Sequence, residues 1–210
     1  MEVKIRKASH DDLESIVDMH LIAFPEYYLT RLGRRVVWGT YDQYFKSDLL
    51  FPLVATMDGK PVGFIAGTFP GGNMDSDFWQ NTFYAVVWGL LCGLLRCDKV
   101  IWGGILDRVK RIPRALRVKF KSGGVRQSSP SASKPIGGWL VSIAVLPEAR
   151  GKGVAKAMLN FFEQQEIKHG AKRIRLCAYK NNARALAFYE KSGFKRICED
   201  KLLYTLEKTF

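Results

Sequence analysis

The sequence has few of the residues that build metal sites or disulfide frameworks. Its 210 residues include only four Cys and three His. No two Cys residues form a C-x-x-C pair, and the His residues lack the spacing of metal ligands. We therefore expect no bound metal, and we expect the cysteines to be reduced, as they are in most cytoplasmic proteins.

Long apolar runs are also missing. Residues 78–95 carry no charge, but glycines and polar side chains interrupt them. A membrane-spanning helix needs about 20 predominantly apolar residues, so we predict none here. The first residues alternate like a β-strand and do not resemble a signal peptide. These observations predict a cytoplasmic protein, and they leave peripheral contact with a membrane open.

Acidic residues are scarce relative to basic ones. The chain has 33 Lys and Arg against 20 Asp and Glu, which gives a net charge of +13. Ten of the basic residues, and only two Asp, lie between Arg96 and Arg126. Such a basic stretch is typical of contact with phosphate groups, nucleic acid or anionic lipid, although a solvated helix face has the same composition.

Residues 70–136 are predicted to be an insertion between more regular segments. They begin with a Pro-Gly-Gly turn and end in a loop rich in Ser, Gly and Pro. Between these, Ile112, Leu116 and Phe120 recur every four residues, as on an amphipathic helix. Residues 83–121 could lie on an anionic membrane surface, pack on the domain or join a second copy in a homodimer. The sequence leaves these alternatives open, and we expect no specific nucleic acid partner.

The remaining segments alternate between strand and helix patterns, which predicts one α/β domain over residues 1–210. A capping box at Ser9 and Asp12 opens the first helix, and Asp58-Gly59 is typical of a β-hairpin turn. The predicted strands are Val3–Lys7, Leu50–Met57, Pro61–Phe69, a buried strand at Gly138–Leu146, Lys172–Ala178 and two more within Phe194–Leu206. The predicted helices are Leu13–Phe24, Leu29–Phe45, Gly151–His169 and Asn182–Ser192.

A glycine-rich loop follows the predicted buried strand. Gly151 and Gly153 lie where the strand gives way to a helix, so backbone N–H groups and the positive end of the helix dipole face one point. Arg150, Lys152 and Lys156 add positive charge, and the pattern predicts a phosphate-binding cradle. It is neither a Walker A loop nor a dinucleotide fingerprint, because the Ser/Thr of the first and the third Gly of the second are missing. A tight turn that binds nothing would use the same glycines.

Two motifs in this order resemble the GNAT acetyltransferase superfamily. Arg150-x-x-Gly153-x-Ala155 is similar to the pyrophosphate motif Q/R-x-x-G-x-G/A of that family, and Asn182…Tyr189-Glu190-Lys191-x-Gly193-Phe194 is similar to its C-terminal motif. The resemblance covers Gly138–Leu206 closely and the N-terminal strand, helix and hairpin loosely. It implies a mixed, splayed central sheet flanked by helices, an α+β arrangement within the α/β class, with the helical insertion before the fourth strand.

The resemblance also implies which residues hold acetyl-coenzyme A (acetyl-CoA). The donor would enter the sheet between the strands at 139–146 and 172–178, where backbone groups would bind its pantetheine arm. The backbone at 151–156 would hold the pyrophosphate. The implied cofactor-binding residues are Ile143, Ala144, Val145, Arg150, Gly151, Lys152, Gly153, Val154, Ala155, Lys156 and Asn182.

Tyr189 is implied as the general acid that protonates the leaving thiolate, a group that benefits from a nearby acid. The alternative for Tyr189 is a core aromatic residue. Some relatives carry a Glu where this sequence has Cys177, which we expect to be a small buried residue, so no general base is assigned. His20 and Glu26 are candidates because the first helix borders the acceptor site in the family. Their alternatives are a half-buried helix residue and a surface acid.

The aromatic residues around Pro25 are candidates to bind the acceptor. Phe24, Glu26, Tyr27 and Tyr28 would line a pocket for a sugar or an aromatic amine, although the same aromatic residues could fill the core. We therefore predict an N-acetyltransferase that moves an acetyl group from acetyl-CoA to a primary amine by direct attack in a ternary complex. The acceptor is expected to be a small molecule, with an amino sugar or a protein amine left open. The alternative is a non-catalytic acyl-CoA-binding module that associates with a membrane or another anionic partner.

Overall fold

The structure is a computed structural model that describes residues 2–72 and 137–210. Its strands are β1 (Val3–Lys7), β2 (Leu50–Met57), β3 (Lys60–Thr68), β4 (Gly137–Val145), β5 (Arg173–Tyr179), β6 (Lys195–Glu199) and β7 (Leu203–Thr209). Its helices are α1 (Leu13–Ala23), α2 (Tyr28–Arg31), α3 (Arg34–Asp42), α4 (Val154–Lys168) and α5 (Ala183–Lys191). Within the two described ranges, no helix has the length and apolarity to cross a membrane. The insertion predicted at 70–136 lies almost wholly outside these ranges, so its helix, its membrane contact and its role in a homodimer stay predictions.

Most predicted elements agree with the structure to within a few residues, but the continuous helix predicted at Leu29–Phe45 is wrong. Two shorter helices, α2 and α3, occupy most of this segment. Gly33 separates them with a φ of +103°, a conformation that glycine adopts far more readily than other residues. The inward positions are nevertheless predicted correctly, because Leu32, Val36 and Val37 are buried.

The turn before α1 forms around the predicted capping residues. The Asp12 carboxylate accepts a hydrogen bond from the Ser9 backbone N–H at 2.8 Å and pairs with Arg6 at 2.6 Å. The hydrogen-bonded Arg6 guanidinium holds the pKa of Asp12 below its usual value. These contacts tie the end of β1 to the start of α1 and help to fix the direction in which the helix leaves the sheet.

The seven strands of the described residues form one sheet in the order β1-β2-β3-β4-β5-β7-β6. Neighbouring strands run antiparallel except β4 and β5, which run parallel. A parallel pair needs a crossover connection, and α4 supplies it. This mixed sheet with flanking helices confirms the predicted fold class.

β4 and β5 pair along only part of their length. The parallel ladder joins Gly137–Leu140 to Arg173–Leu176 and then stops. At that point β4 contains a bulge, because Leu140 and Ser142 pair with consecutive residues of β3 and leave Val141 without a partner. A bulge bends a strand and increases its twist. The rest of β4 therefore separates from β5, and the sheet opens into a gap.

The prediction that the strand at Gly138–Leu146 is buried is wrong for part of its length. Trp139 is 39% exposed and Val141 is 49% exposed. The segment suggests a buried strand because nearly all of its residues are apolar or small. Trp139 pairs with Thr68 on β3 and with Arg175 on β5, so a missing neighbour strand does not explain its exposure; it lies on the face of the sheet opposite the buried Leu140.

Two apolar clusters cover the two faces of the sheet. One packs α4 and α5 against the sheet and includes Ile65 and Phe162. The other packs α1 and α3 against the opposite face and includes Val17 and Phe64. A Cβ atom on Gly67 would overlap the Phe162 ring, so glycine at this position lets α4 sit close to β3. α1 and α4 thus approach the gap from opposite faces.

One carboxyl group is buried in this core, and no described residue gives it a hydrogen bond. Glu166 on α4 is 0% exposed, and neither of its carboxylate oxygens has a hydrogen-bond partner among the described residues. The carboxyl lies against β4, because a Cβ atom on Gly138 would overlap it. Burial raises the pKa of Glu166 from 4.5 to about 8, because poorly solvated surroundings disfavour the charged form.

We expect Glu166 to make the protein less stable as the pH rises from 4.5 to about 8. In that range the folded chain keeps a proton on Glu166 that the unfolded chain loses, so the folded chain binds more protons. Since one pKa unit corresponds to about 1.4 kcal/mol, the expected loss is on the order of 2–4 kcal/mol. Glu166→Gln should remove this part of the pH dependence. Urea denaturation at about pH 5 and about pH 8.5 measures it.

Glu148→Gln is the matched control for this prediction. Glu148 is exposed, and its substitution removes the same charge without changing a buried group. It should leave the pH dependence of the free energy of unfolding unchanged. If wild type and Glu166→Gln show the same pH dependence, Glu166 ionises as freely in the folded chain as in the unfolded one, and the prediction is wrong.

Candidate active site

The gap between β4 and β5 opens into a cavity of about 740 Å³. A cavity of this size is typical of sites that bind small molecules and cofactors. Ala23 at the end of α1 and Val154–Lys156 at the start of α4 line it from opposite faces of the sheet, so the cavity passes through the plane of the sheet. Its lining includes Phe24, Tyr27, Ser142, Ile143, Ala144, Val145, Arg150, Gly151, Gly153, Val154, Ala155, Lys156, Cys177, Tyr179, Asn182, Arg184, Phe188 and Tyr189.

The glycine-rich loop before α4 has the backbone conformation that its glycines allow. Gly151 and Gly153 have φ values of +76° and +77°. α4 begins directly afterwards, and no side chain caps its first N–H groups. The first N–H groups of a helix have no partner within the helix. Those of Val154–Lys156 are therefore available to an anion at the edge of the cavity.

The backbone of β4 presents polar groups to the gap. Leu146 donates its N–H to the Val62 carbonyl on β3 at 2.9 Å. Hydrogen bonds alternate along an antiparallel pair, so the N–H and C=O groups of Ile143 and Val145 point away from β3, whereas those of Ala144 point toward it. β5 does not pair with this part of β4. An extended ligand in the gap would therefore meet the outward-facing backbone groups of Ile143 and the N–H of Val145, whereas the Val145 carbonyl already accepts a hydrogen bond from Arg150.

Basic side chains surround the loop before α4. Arg150 and Lys156 line this end of the cavity, and Arg184 on α5 also belongs to the lining. The Arg150 Nε donates a hydrogen bond to the Val145 carbonyl at 3.0 Å, which holds the guanidinium beside β4. The part of the lining that the structure describes contains no Asp or Glu. In the described residues, no group of three His, Cys, Asp or Glu side chains could hold a metal ion. The charge at this end fits a phosphorylated ligand.

Tyr189 on α5 reaches the cavity from the β5 side of the gap. It is only 6% exposed, and its ring centroid lies 5.8 Å from that of Phe194. Burial raises the pKa of the Tyr189 hydroxyl above its ordinary value, so the phenol stays protonated at neutral pH. Tyr189 is thus both a core aromatic residue and a cavity residue. A protonated phenol is also the form that a general acid requires.

Asn182 connects two sides of the cavity. Its Oδ1 caps α5 by accepting a hydrogen bond from the Ala185 N–H at 3.1 Å, and its side chain also hydrogen-bonds Tyr27. The Tyr27 ring packs edge-on against Tyr179, with 5.1 Å between centroids, and lies 4.7 Å from the Phe24 ring. These contacts join the loop after α1 to β5 and α5.

Three of the residues predicted to bind the cofactor or the acceptor lie outside the cavity lining. Lys152 is exposed in the loop before α4. Glu26 pairs with Arg31, and its side chain is 77% exposed, as the surface-acid interpretation predicts. Tyr28 is half-buried at the start of α2. Of the four residues predicted to bind the acceptor, the structure brings only the other two to the cavity.

Burial corrects two predictions about single residues. Cys177, expected to be buried, is exposed and lines the cavity, with its Sγ 3.7 Å from the Thr205 hydroxyl. Its neighbours Leu176 and Ala178 are buried, so the alternation along β5 places Cys177 on the open side. His20, expected to be half-buried, is only 4% exposed, and burial lowers its pKa to about 4.

Several cavity residues were not among the predicted site residues. Tyr179 lies on the same side of β5 as Cys177, two residues away. The alternation of side chains along the strand could therefore have identified Tyr179 as a cavity residue. Arg184 and Phe188 are four residues apart on α5, and helical spacing places them on one face. No such sequence pattern identifies Ser142 as a cavity residue, because the face on which its side chain lies depends on the bulge that precedes it.

Comparisons with known proteins agree with this geometry. Residues 120–194 match the sequence profile of the acetyltransferase (GNAT) family. Over these residues the chain matches a GNAT acetyltransferase domain. Within the described residues, the match includes the loop before α4, β5 and α5, which together form most of the cavity. The GNAT match and the fold indicate an acetyl-CoA-dependent acyltransferase and do not specify its acceptor.

Solved N-acetyltransferase structures share the fold of the GNAT domain. PaiA N-acetyltransferase from Thermoplasma acidophilum, solved in complex with coenzyme A, matches with a TM-score of 0.61 and 16% identity over 100% of both chains. Ribosomal-protein-S18-alanine N-acetyltransferase from Escherichia coli matches with 0.58 and 13% identity over 99% of this chain and 94% of its own. Naa50 from Arabidopsis thaliana, solved with the bisubstrate analogue CoA-Ac-MVNAL, matches with 0.56 and 16% identity over 100% of both chains. At these identities the likeness shows the fold alone.

Proposed function

We propose that the chain transfers the acetyl group of acetyl-CoA to the primary amine of a small-molecule acceptor by direct attack in a ternary complex. The observation that carries this proposal is a single cavity that joins the basic loop before α4 to an aromatic surface beside α1, through the gap in the sheet. Donor and acceptor that enter from opposite faces meet in this gap. Holding them together replaces a bimolecular encounter, and no covalent enzyme intermediate is needed.

The donor side fits acetyl-CoA. The N–H groups of Val154–Lys156 and the Arg150 side chain would hold the pyrophosphate. The backbone of Ile143 and Val145 would bind the pantetheine arm as an added strand. Asn182 would contact the arm from α5. Bound acetyl-CoA supplies the activated acetyl group, and the residues of the chain fix its position in the gap.

The bulge in β4 lies at the point where the thioester is expected. Val141 has no partner on β3, so its backbone groups are not committed to that ladder. A backbone N–H placed in advance stabilises the charge that develops on a carbonyl oxygen during attack. On the opposite side of the gap, Tyr189 would give its proton to the leaving thiolate.

The acceptor side is aromatic and uncharged. Phe24 and Tyr27 line it, and none of the lining residues that the structure describes is acidic. Such a surface favours an amine attached to a neutral ring over a polycation, which needs carboxylates. Small amines with an aromatic or sugar ring are therefore the preferred acceptors in this proposal. A protein amine is the second candidate, because Naa50 was solved with CoA-Ac-MVNAL.

The test is release of the coenzyme A thiol with three acceptor sets: ring-bearing small amines, linear polyamines and peptides with a free N-terminus. We expect kcat/KM to be highest for a ring-bearing amine. Tyr27→Ala should raise the KM of that amine by about tenfold, since an aromatic contact contributes about 0.5–1.5 kcal/mol. Tyr28→Ala, outside the cavity lining, is the matched control. Intact binding of coenzyme A without amine-dependent thiol release would contradict the proposal and favour the non-catalytic module.

A further inference from the structure

A chain of hydrogen bonds leads from the cavity into the core. Ser142 on β4 lines the cavity. The Tyr41 hydroxyl on α3 lies 3.3 Å from the Ser142 Oγ and 2.8 Å from the Nδ1 of His20 on α1. The side chain of Ser142 lies on the same face of the sheet as α1, which is the acceptor side of the cavity. We refer to these three residues as the relay.

The inner members of the relay are shielded from water. Tyr41 is 3% exposed and His20 is 4% exposed. The rings of Phe24 and Tyr41 lie 5.0 Å and 5.4 Å from the His20 ring. The Nε2 of His20 has no hydrogen-bond partner in the part of the chain that the structure describes. An unpartnered polar atom in such surroundings is unfavourable, so core packing alone does not account for a His at this position.

We propose that the relay accepts the proton that the acceptor amine loses during attack. The amine nitrogen passes a proton to the Ser142 Oγ, the Ser142 hydroxyl proton passes to the Tyr41 oxygen, and the Tyr41 proton passes to the His20 Nδ1. One proton thus moves from the amine to His20, and both hydroxyls end neutral. This inference rests on the proposed function. It supplies a base that the described cavity lining, which has no Asp, Glu or His, does not contain.

The geometry allows transfer in this direction. The Tyr41 hydroxyl donates to the Ser142 Oγ in this arrangement, but hydroxyl hydrogens rotate, so Tyr41 can turn to donate to His20 while Ser142 donates to Tyr41. His20 then begins with its proton on Nε2 and a bare Nδ1. Its pKa of about 4 keeps it neutral at physiological pH and makes its protonated form short-lived, so the proton returns by the same path after the product leaves. The 3.3 Å distance is long for two hydroxyls, and such bonds often shorten when substrates bind.

Tyr41→Phe tests the relay by removing one oxygen. We expect kcat with the best amine to fall by about 10²-fold, at the low end of general acid–base catalysis, with the Kd of coenzyme A within about twofold. Tyr44→Phe is the matched control. Tyr44 is equally buried, its ring lies 6.0 Å from that of Tyr41, and its hydroxyl has no hydrogen-bond partner among the described residues. Tyr44→Phe should keep kcat within about twofold of wild type, a small change beside the loss expected for Tyr41→Phe.

Two further variants separate proton transfer from packing. His20→Gln keeps a polar side chain beside Tyr41 but removes the group that takes the proton, so kcat should fall as in Tyr41→Phe. The double variant should be no slower than either single variant, because the residues act as a unit. Ser142→Ala disturbs the core least, since Ser142 is only partly buried, and it should give the same loss in kcat with little change in acceptor KM.

The outcomes distinguish the relay from the proposed function. Amine-dependent turnover by the wild type is measured first, and its absence would contradict the proposed function itself. Given turnover, a loss of less than about threefold in Tyr41→Phe or Ser142→Ala overturns the relay. An equal loss in Tyr44→Phe, or fully additive losses in the double variant, overturns it as well.

Discussion

Replacing Tyr189 with Phe is expected to lower kcat by about 10²–10⁴ with a good acceptor. The substitution keeps the ring packed against Phe194 and deletes only the hydroxyl at the cavity. The thiolate of coenzyme A then departs without a proton donor beside it. The measurement is the rate of thiol release at saturating acetyl-CoA and amine, with the Kd of coenzyme A measured in parallel and expected to be unchanged.

The pH dependence of the wild type gives an independent check on Tyr189. Because burial raises the pKa of Tyr189 above its ordinary value of 10, its proton stays in place through neutral and mildly alkaline conditions. The wild type should therefore lose no activity through Tyr189 below about pH 10. Tyr204→Phe serves as a control, since Tyr204 lies on β7 outside the cavity lining. If kcat falls less than about threefold in Tyr189→Phe, the acid is another group or thiolate departure does not limit the rate.

The same variant separates an enzyme from a binding module. In an acyl-CoA-binding module the Tyr189 hydroxyl has no chemical role, and the wild type would release no thiol in response to an amine. In the enzyme, coenzyme A binding persists while turnover falls. The contrast between an unchanged Kd and a reduced kcat is therefore the decisive result, because a loss of folding would lower both binding and turnover.

The parts of the fold that depend on local chemistry are predictable from the sequence. The hairpin at Asp58-Gly59 forms as predicted, because both residues adopt the positive φ angles that the turn requires. Gly151 and Gly153 adopt positive φ angles before α4, and Asn182 caps α5. In each case a residue and its immediate neighbours determine the conformation, so spacing alone identifies it.

The parts that depend on pairing between distant strands are not predictable in this way. The gap beside β4 begins at Val141, where a bulge appears only because β3 pairs with β4 in a particular register. Nothing local distinguishes Val141 from the apolar residues around it. Cys177 lies on the face of β5 opposite the buried Leu176 and Ala178, and which face is covered depends on packing between distant elements. The sequence therefore predicts the segments that line the cavity more reliably than the opening itself.

The relay, too, depends on contacts between distant elements that the sequence does not predict. His20 is recognisable as a candidate base from the sequence, but its partner Tyr41 and the cavity residue Ser142 come from two other elements. Three elements must pack against each other before these side chains meet. Helical spacing predicts that Tyr41 lies on a buried face of α3, and it contains no information about which polar atom its hydroxyl will reach.

Gly153→Glu is expected to weaken coenzyme A binding by at least about 10²-fold. A Cβ atom on Gly153 meets no neighbour within 4 Å, although any side chain at its φ of +77° is strained. Its carboxylate would lie beside the N–H groups of Val154–Lys156, where the pyrophosphate is expected. Two like charges about 4 Å apart near a protein surface repel by roughly 4 kcal/mol. Isothermal titration calorimetry with coenzyme A measures the loss.

Two controls separate charge from backbone strain in this prediction. Gly153→Ala places a side chain at the same φ of +77° without a charge, and should weaken binding only several-fold. Gly59→Glu combines a φ of +80° with the same charge on the β2–β3 hairpin, outside the cavity lining, and should leave the Kd unchanged. Unchanged affinity in a folded Gly153→Glu protein would mean that the pyrophosphate does not lie at the start of α4. The proposed orientation of acetyl-CoA in the gap would then be wrong.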